Sequence, residues 1–194
     1  MTRYLLLAAA VLTAPLLCGG VWQTPDPKEQ LPDWVTLDTM DEDVDVHVGS
    51  GIETVHVSLK DGALSITGEH MQFTSESDWI VCGCYFSDLD RDGDDEVMLH
   101  LWKGGIFGPY QPFWREPDDK SVYTERLFIY NWDTAQEDRL KIAWGSSRMA
   151  HTGKEVWIDD NKLVRLISVD GTETAWRWEY WGLKLVGQKK PNES

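Results

Sequence analysis

The densest group of chemically active side chains in the sequence is a run of acids at residues 88–96, which reads Asp-Leu-Asp-Arg-Asp-Gly-Asp-Asp-Glu. We call this run the acidic loop. It has carboxylates at its positions 1, 3, 5 and 9 and glycine at position 6. Alternate residues of a tight loop point inward, and glycine permits the positive φ angle that a sharp turn needs. Hard oxygen ligands at this density favour calcium over transition metals, so the sequence predicts one calcium site.

The spacing also predicts which atoms hold the ion. Asp88, Asp90, Asp92 and Glu96 would give carboxylate oxygens, and Asp94 at position 7 would give its backbone carbonyl oxygen. The alternative is a solvated acidic turn. Six carboxylates within nine residues repel one another strongly, and a turn needs far fewer, so calcium binding is the favoured interpretation.

The surroundings of the loop distinguish it from a helix-loop-helix calcium site. Position 12 is Leu99 instead of a bidentate glutamate, and both flanks have strand-like sequences. A strand–Asp-x-Asp-x-Asp-Gly-x-x-Glu–strand unit resembles the calcium loops of FG-GAP repeats, the blades of integrin-α-type propellers. The resemblance covers residues 85–104 and implies a structural calcium site in a β-rich extracellular domain. Only one copy is present, and the Phe-Gly…Gly-Ala-Pro signature is missing. Residues 101–114 also resemble segments of exported bacterial proteins, which implies no activity.

A second acidic cluster contains Asp38, Asp41, Asp43 and Asp45. It has no glycine, and Val44 interrupts it on a strand-like stretch. We predict a solvated edge strand whose charges prevent pairing with another sheet.

Aromatic residues suggest a binding surface. The chain has 11 Trp, and several rings lie in or beside the stretch 103–122, which is long for a connection. Trp102, Tyr110, Phe113 and Trp114 are candidates for an exposed platform on which a sugar could stack. The alternative is that these rings fill the β core or hold the long loop onto it.

No catalytic group is predicted. The five histidines have no metal-ligand spacing, and Ser146 follows no nucleophile-elbow pattern. Because the chain has 33 acids, a pair of carboxylates by itself identifies no glycosidase. Cys82 and Cys84, two residues apart on a predicted strand, should face the same side, where they cannot easily form a disulfide. They are predicted to be small buried hydrophobes.

The elements that must position these groups are short strands. Stretches 54–59 and 63–67 alternate apolar and polar residues across Asp61-Gly62, which predicts a hairpin. Further pairs are predicted at 80–86 with 96–102, 126–132 with 139–144, and 162–169 with 174–181. No window has a sustained helical period. The sequence therefore predicts an all-β domain, propeller-like or an irregular antiparallel sheet, with barrel and sandwich as alternatives.

The N-terminal residues are predicted to be an export signal. Arg3 precedes an apolar stretch at residues 5–17 that is too short to span a bilayer. Residues 1–20 are then either cleaved, retained as an anchor, or processed so that Cys18 carries a lipid. Residues 21–33 are predicted as a Pro-rich linker, 34–188 as the β domain and 189–194 as a polar tail.

Composition limits the function. The net charge of −15 argues against nucleic acid and against an anionic membrane surface as partners. Membrane attachment would come only through the N-terminal lipid or signal anchor. We predict an exported or cell-envelope, non-catalytic, calcium-binding module whose partner is a cell-surface glycan, peptide or protein. The alternatives are an extracellular glycosidase-like hydrolase with a carboxylate pair and a purely structural envelope protein.

Overall fold

The regular elements of this protein are β-strands. A computed structural model describes residue 28 and residues 31–103, 124–132, 140–146 and 153–191. In these ranges the strands are β1 (Met40–Val48), β2 (Gly51–Lys60), β3 (Ala63–Thr67), β4 (Gln72–Thr74), β5 (Trp79–Ser87), β6 (Glu96–Lys103), β7 (Thr124–Trp132), β8 (Leu140–Gly145), β9 (Gly153–Ile158), β10 (Val164–Ser168), β11 (Glu173–Glu179) and β12 (Gly182–Lys189).

The strands form three four-stranded antiparallel sheets. Sheet A contains β1–β4, sheet B contains β5–β8 and sheet C contains β9–β12, and within each sheet consecutive strands are neighbours. The described strands do not close into a barrel. The prediction of an all-β, irregular antiparallel sheet domain is confirmed.

The hairpins follow from local turn chemistry. Asp61 and Gly62 both take positive φ angles, 53° and 80°, as a two-residue turn between right-twisted strands requires. The turn between β10 and β11 is closed by Asp170, whose carboxylate accepts the backbone N–H of Thr172 at 2.9 Å. All four predicted strand pairs are present, with ends that differ by a few residues.

Sheet B lies between the other two sheets. One core joins sheets A and B. Its buried residues are Val46, Val55, Val57, Leu59, Leu64 and Ile66 from sheet A, Met71 from the β3–β4 turn, and Val81, Cys84, Val97, Leu99, Leu101 and Tyr130 from sheet B. A second core joins sheets B and C, with Met98, Leu127 and Ile129 facing Val156, Val164 and Leu166. Because β5 and β6 are covered on both faces, their sequences are nearly continuous apolar runs.

The two cysteines face opposite sides of sheet B, so the prediction that they share a face is wrong. The pairing register of β5 with β6 shifts between Val81 and Gly83, which makes Cys82 the extra residue of a β-bulge. Cys84 therefore lies in the core between sheets A and B, whereas Cys82 packs with Ile80 and Trp102. Both thiols are free and buried.

The edge and the N-terminal segment complete the arrangement. Strand β1 pairs only with β2 among the described strands, and Asp41, Asp43 and Asp45 are exposed on it, which confirms the charged edge strand for these three acids. Asp38 lies before the strand. Leu31, placed by sequence in the linker, packs with Trp34 against Ile80.

Strands β4, β9 and β12 were not predicted. Among the described residues, no helix has the length and apolar character needed to cross a membrane.

Candidate functional site

The acidic loop connects β5 to β6 at one end of the central sheet. Ser87 and Glu96 are paired at its base. Arg91 and Gly93 take positive φ angles of 66° and 102°, which turn the chain sharply within a few residues. Leu89 is buried in the core between sheets B and C. The loop is therefore anchored at its base and by an apolar side chain, while its acids gather on the other side.

Three of the five predicted calcium ligands converge. Carboxylate oxygens of Asp88, Asp90 and Glu96 all lie within 4.8 Å of one another. Oδ1 of Asp88 is buried and has no hydrogen-bond partner among the described residues. A buried oxygen without a donor is costly, and a cation would satisfy it. The three carboxylates are placed so that they could hold a metal ion.

Glu96 is the most deeply buried member of the group, with 2% of its surface exposed. Its Oε2 accepts backbone hydrogen bonds from Leu89 at 2.7 Å and from Asp90 at 3.4 Å. Burial raises the pKa of Glu96 to about 7, and the charges of Asp90 and Asp92 add to the shift. Burial also raises the pKa of Asp90. The ion-free loop therefore holds its negative charges at a cost that a divalent cation would remove.

The other two predicted ligands act differently. Oδ1 of Asp90 accepts the N–H of Asp92 at 3.1 Å, and Oδ1 of Asp92 accepts the N–H of Asp94 at 2.9 Å. The carboxylate of Asp94 accepts the N–H of Gly49 at 2.6 Å. Asp92 thus shapes the loop, and the Asp94 side chain binds the β1–β2 turn. The carbonyl of Asp94 as a ligand stays a prediction.

The loop also contacts sheet A through Asp95, a residue for which the sequence predicts no role. Oδ2 of Asp95 lies 2.8 Å from the backbone N and 2.9 Å from Nδ1 of His47. The N–H of Asp95 donates to the His47 carbonyl at 2.8 Å. Nε1 of Trp132 donates to the Asp95 carbonyl at 2.5 Å. No sequence signal indicated this pairing, because 48 residues separate Asp95 from His47.

Sheet C contributes through its β9–β10 turn. Arg91 donates from Nη2 to the carbonyl of Asn161 at 3.4 Å, and Lys162 donates from Nζ to Oγ of Ser87 at 3.1 Å. The acidic loop therefore contacts the first hairpin turn of both other sheets. The loop that carries the converging carboxylates, together with Ser87 at its base, therefore joins sheet B to sheets A and C.

The predicted aromatic platform divides into two parts. Trp102 is only 7% exposed and packs against Trp34 with ring centroids 6.1 Å apart. It is therefore a core residue and not part of an exposed platform. Tyr110, Phe113 and Trp114 lie outside the described residues, as does Cys18.

A different aromatic pair is exposed. Tyr180 and Trp181 form the β11–β12 turn, and their exposed fractions are 89% and 88%. If the strand alternation continued, Tyr180 would share a face with Trp176 and Trp178. Strand β11 ends at Glu179, however, and Tyr180 takes a φ of 55°, which ends the alternation. Trp176 and Trp178 pack into the core between sheets B and C, and Tyr180 does not.

His100 forms a buried pair with a carboxylate, which sequence reasoning missed. Nε2 of His100 lies 2.6 Å from Oε1 of Glu125, and both side chains are buried. The two residues occur on neighbouring strands β6 and β7, which a search for short sequence motifs does not relate.

Comparisons with known proteins identify no relative: no family model matches the chain, and neither curated proteins nor solved structures give a match.

Proposed function

We propose that this protein is an exported or cell-envelope, non-catalytic β domain that binds one calcium ion and uses an exposed surface to hold a polysaccharide, peptide or protein. The observation that carries the calcium assignment is the convergence of Asp88, Asp90 and Glu96 within 4.8 Å. Export is supported by the signal-like sequence of residues 1–20.

Charge and chemistry both favour a hard divalent cation at this position. Three carboxylates at such separations repel one another, and all of their donor atoms are oxygen. The described residues of the loop offer no thiolate or imidazole, which a transition metal would prefer. Backbone hydrogen bonds already fix Glu96, so part of the site is formed before the ion arrives.

The ion would act as a brace between sheets. Asp94 and Asp95 hold the β1–β2 turn, while Arg91 reaches the β9–β10 turn. Calcium on the inner side of the loop would fix the backbone from which these side chains extend. We therefore assign it a structural role instead of a catalytic one.

The binding role is supported by Tyr180 and Trp181. These adjacent aromatic side chains are almost fully exposed, and exposed aromatic rings can stack on the C–H faces of sugars. Trp181→Ala should therefore abolish binding on a glycan array, with exposed Val169→Ala as a control that leaves binding intact. If the wild-type protein binds no glycan, the polysaccharide form of the proposal is wrong.

Calcium binding is tested by thermal unfolding of the full chain in calcium and in chelator. At a calcium concentration one hundred times the Kd, binding adds about 2.7 kcal/mol to the free energy of unfolding. An unchanged melting temperature would overturn the proposal. Glu69→Gln, which removes an exposed acid from the β3–β4 turn, is the matched control and should retain the full calcium response.

A further inference from the structure

A cavity separate from the acidic loop lies between sheets B and C and the N-terminal segment. Its volume is about 530 Å³, within the range of small-molecule sites. Residues of segment 35–38 line one side, and residues 153–157 line another. Cys82, Tyr85 and His100 of sheet B form the remaining wall.

His100 reaches this cavity with its ring held by Glu125. Oε1 of Glu125 lies 2.6 Å from Nε2 of His100 and accepts the backbone N–H of Gly153 at 2.9 Å. Oε2 of Glu125 accepts the same N–H at 3.1 Å. An ionised carboxylate only accepts hydrogen bonds, so in the contact with ionised Glu125 the Nε2–H of His100 is the donor. In the neutral imidazole with its proton on Nε2, Nδ1 is the acceptor nitrogen, and no hydrogen bond from a described residue reaches it.

Gly153 is required for this arrangement. A Cβ at this position would lie 3.0 Å from Oε1 of Glu125 and 2.9 Å from a methyl group of Val156. The absence of a side chain lets the carboxylate approach the backbone of β9.

The pair is not explained by packing alone. On the face of β6 toward sheet C, His100 lies between Met98 and Trp102, which are both buried and apolar. Replacing a buried polar pair of this kind with apolar residues is often neutral or stabilising. A residue that departs from the surrounding pattern in this way is characteristic of a functional position.

The groups around His100 are mainly hydrogen-bond acceptors. The backbone N–H of Asp38 donates to the Cys82 carbonyl at 2.8 Å, which fixes Asp38 at the cavity wall. The Tyr85 hydroxyl already donates to the Val156 carbonyl at 2.6 Å. The charged lining residues are Asp38 and Glu155 against Lys154 alone. The cavity thus offers acceptors and a negative field.

We propose that this cavity binds a small organic ammonium ion, whose N–H groups donate to Nδ1 of a neutral His100 imidazole and to the carboxylate of Asp38. Tyr85 and Trp157 supply aromatic surface beside a cation. The overall charge of −15 favours entry of a positive ligand. This site is independent of the calcium proposal, because none of its residues belongs to the acidic loop.

The test is a titration of the ¹⁵N-labelled full chain with n-butylammonium chloride, followed through the side-chain ¹⁵N signals of its five histidines. We expect the Nδ1 signal of His100 to shift and saturate. The other four histidines should not move, and sodium butyrate and glucose should not shift the His100 signal.

Two exposed acids of the N-terminal segment provide the variants. Asp38→Asn should weaken n-butylammonium binding about fivefold, the equivalent of about 1 kcal/mol, and Asp33→Asn, which does not line the cavity, should leave it unchanged. No saturable shift of His100 would overturn the proposal. An equal response to butyrate or glucose, or equal binding by Asp38→Asn and wild type, would also overturn it.

Discussion

The carboxylate of Asp94 accepts a 2.6 Å hydrogen bond from the backbone N–H of Gly49, across 45 residues of sequence. This bond joins the acidic loop of sheet B to the β1–β2 turn of sheet A. Gly49 takes a φ of 61°, so the turn presents its N–H from a conformation that suits glycine. A loop that is predicted to hold an ion thus also holds a neighbouring sheet in place.

Asp94→Ala should therefore lower the free energy of unfolding by about 1 kcal/mol, because it removes a charge-assisted hydrogen bond between sheets. Urea unfolding measures the change. Glu69→Ala, which removes an exposed acid with no such bond, is the control. Equal stability of the two variants would show that the contact between Asp94 and Gly49 contributes nothing.

Gly83→Ala should destabilise the protein by about 2 kcal/mol, because the new methyl group would overpack the core between sheets B and C. A Cβ at Gly83 would lie 2.5 Å from the Tyr85 hydroxyl oxygen and 2.9 Å from the ring. The ring would move and break its 2.6 Å bond to the Val156 carbonyl. Thermal unfolding measures the effect.

Gly187→Ala is the matched control for Gly83→Ala. Its nearest neighbour would be the Cβ of Ala175 at 3.6 Å, an ordinary contact, so its stability should stay near that of wild type. In a Tyr85→Ala background the additional effect of Gly83→Ala should disappear. Persistence of the full effect there would mean that the Tyr85 ring is not its cause.

The two strand cysteines should be unreactive in the folded protein. Burial raises the pKa of Cys82 and of Cys84 to about 12, so neither is a thiolate at pH 8. In a Cys18→Ser variant, labelling by a disulfide reagent should proceed only as fast as the protein unfolds. Rapid labelling of either cysteine under native conditions would contradict the buried placement.

Calcium affinity should depend on pH through Glu96, whose pKa is raised to about 7 by burial. Below that pH the carboxyl is protonated in the ion-free protein and calcium must displace the proton. The affinity should therefore fall up to tenfold for each unit below pH 7 and level off above it. Calcium titrations at pH 5.5, 6.5 and 7.5 measure this, and a flat profile would contradict it.

The raised pKa of Glu96 also predicts how the stability of the ion-free protein depends on pH. A carboxyl whose pKa is raised in the folded protein binds its proton more tightly there than it does in the unfolded chain. Stability should therefore fall as pH rises from about 4.5 to about 7, and Glu96→Gln should remove this decline. Chelator-treated samples unfolded in urea at each pH provide the measurement. A decline that persists in Glu96→Gln would assign it to other groups.

The strands were largely predictable because their signals are local. The Asp61-Gly62 turn and the alternation beside it define a hairpin without reference to other parts of the chain. The continuous apolar sequences of β5 and β6 similarly reflect a sheet covered on both faces. The bulge at Cys82 was missed, although Gly83 inside the strand is a local signal that could have indicated it.

The candidate calcium site was predictable in part, because some of its residues are close together in the sequence. Asp88, Asp90 and Glu96 belong to one short loop, so spacing alone placed them together. The bonds from Asp94 to Gly49 and from Glu125 to Gly153 join segments distant in sequence, and no local pattern encodes them. The resemblance to FG-GAP loops and the closure of a propeller stay predictions.

The most direct test of the central claim is isothermal titration of the ion-free full chain with calcium chloride. We predict one site per chain that is lost in Asp90→Asn and kept in Glu69→Gln, the control that removes an acid outside the loop. Absence of binding heat in the wild type at several temperatures, or equal binding by Asp90→Asn, would contradict calcium binding at Asp88, Asp90 and Glu96.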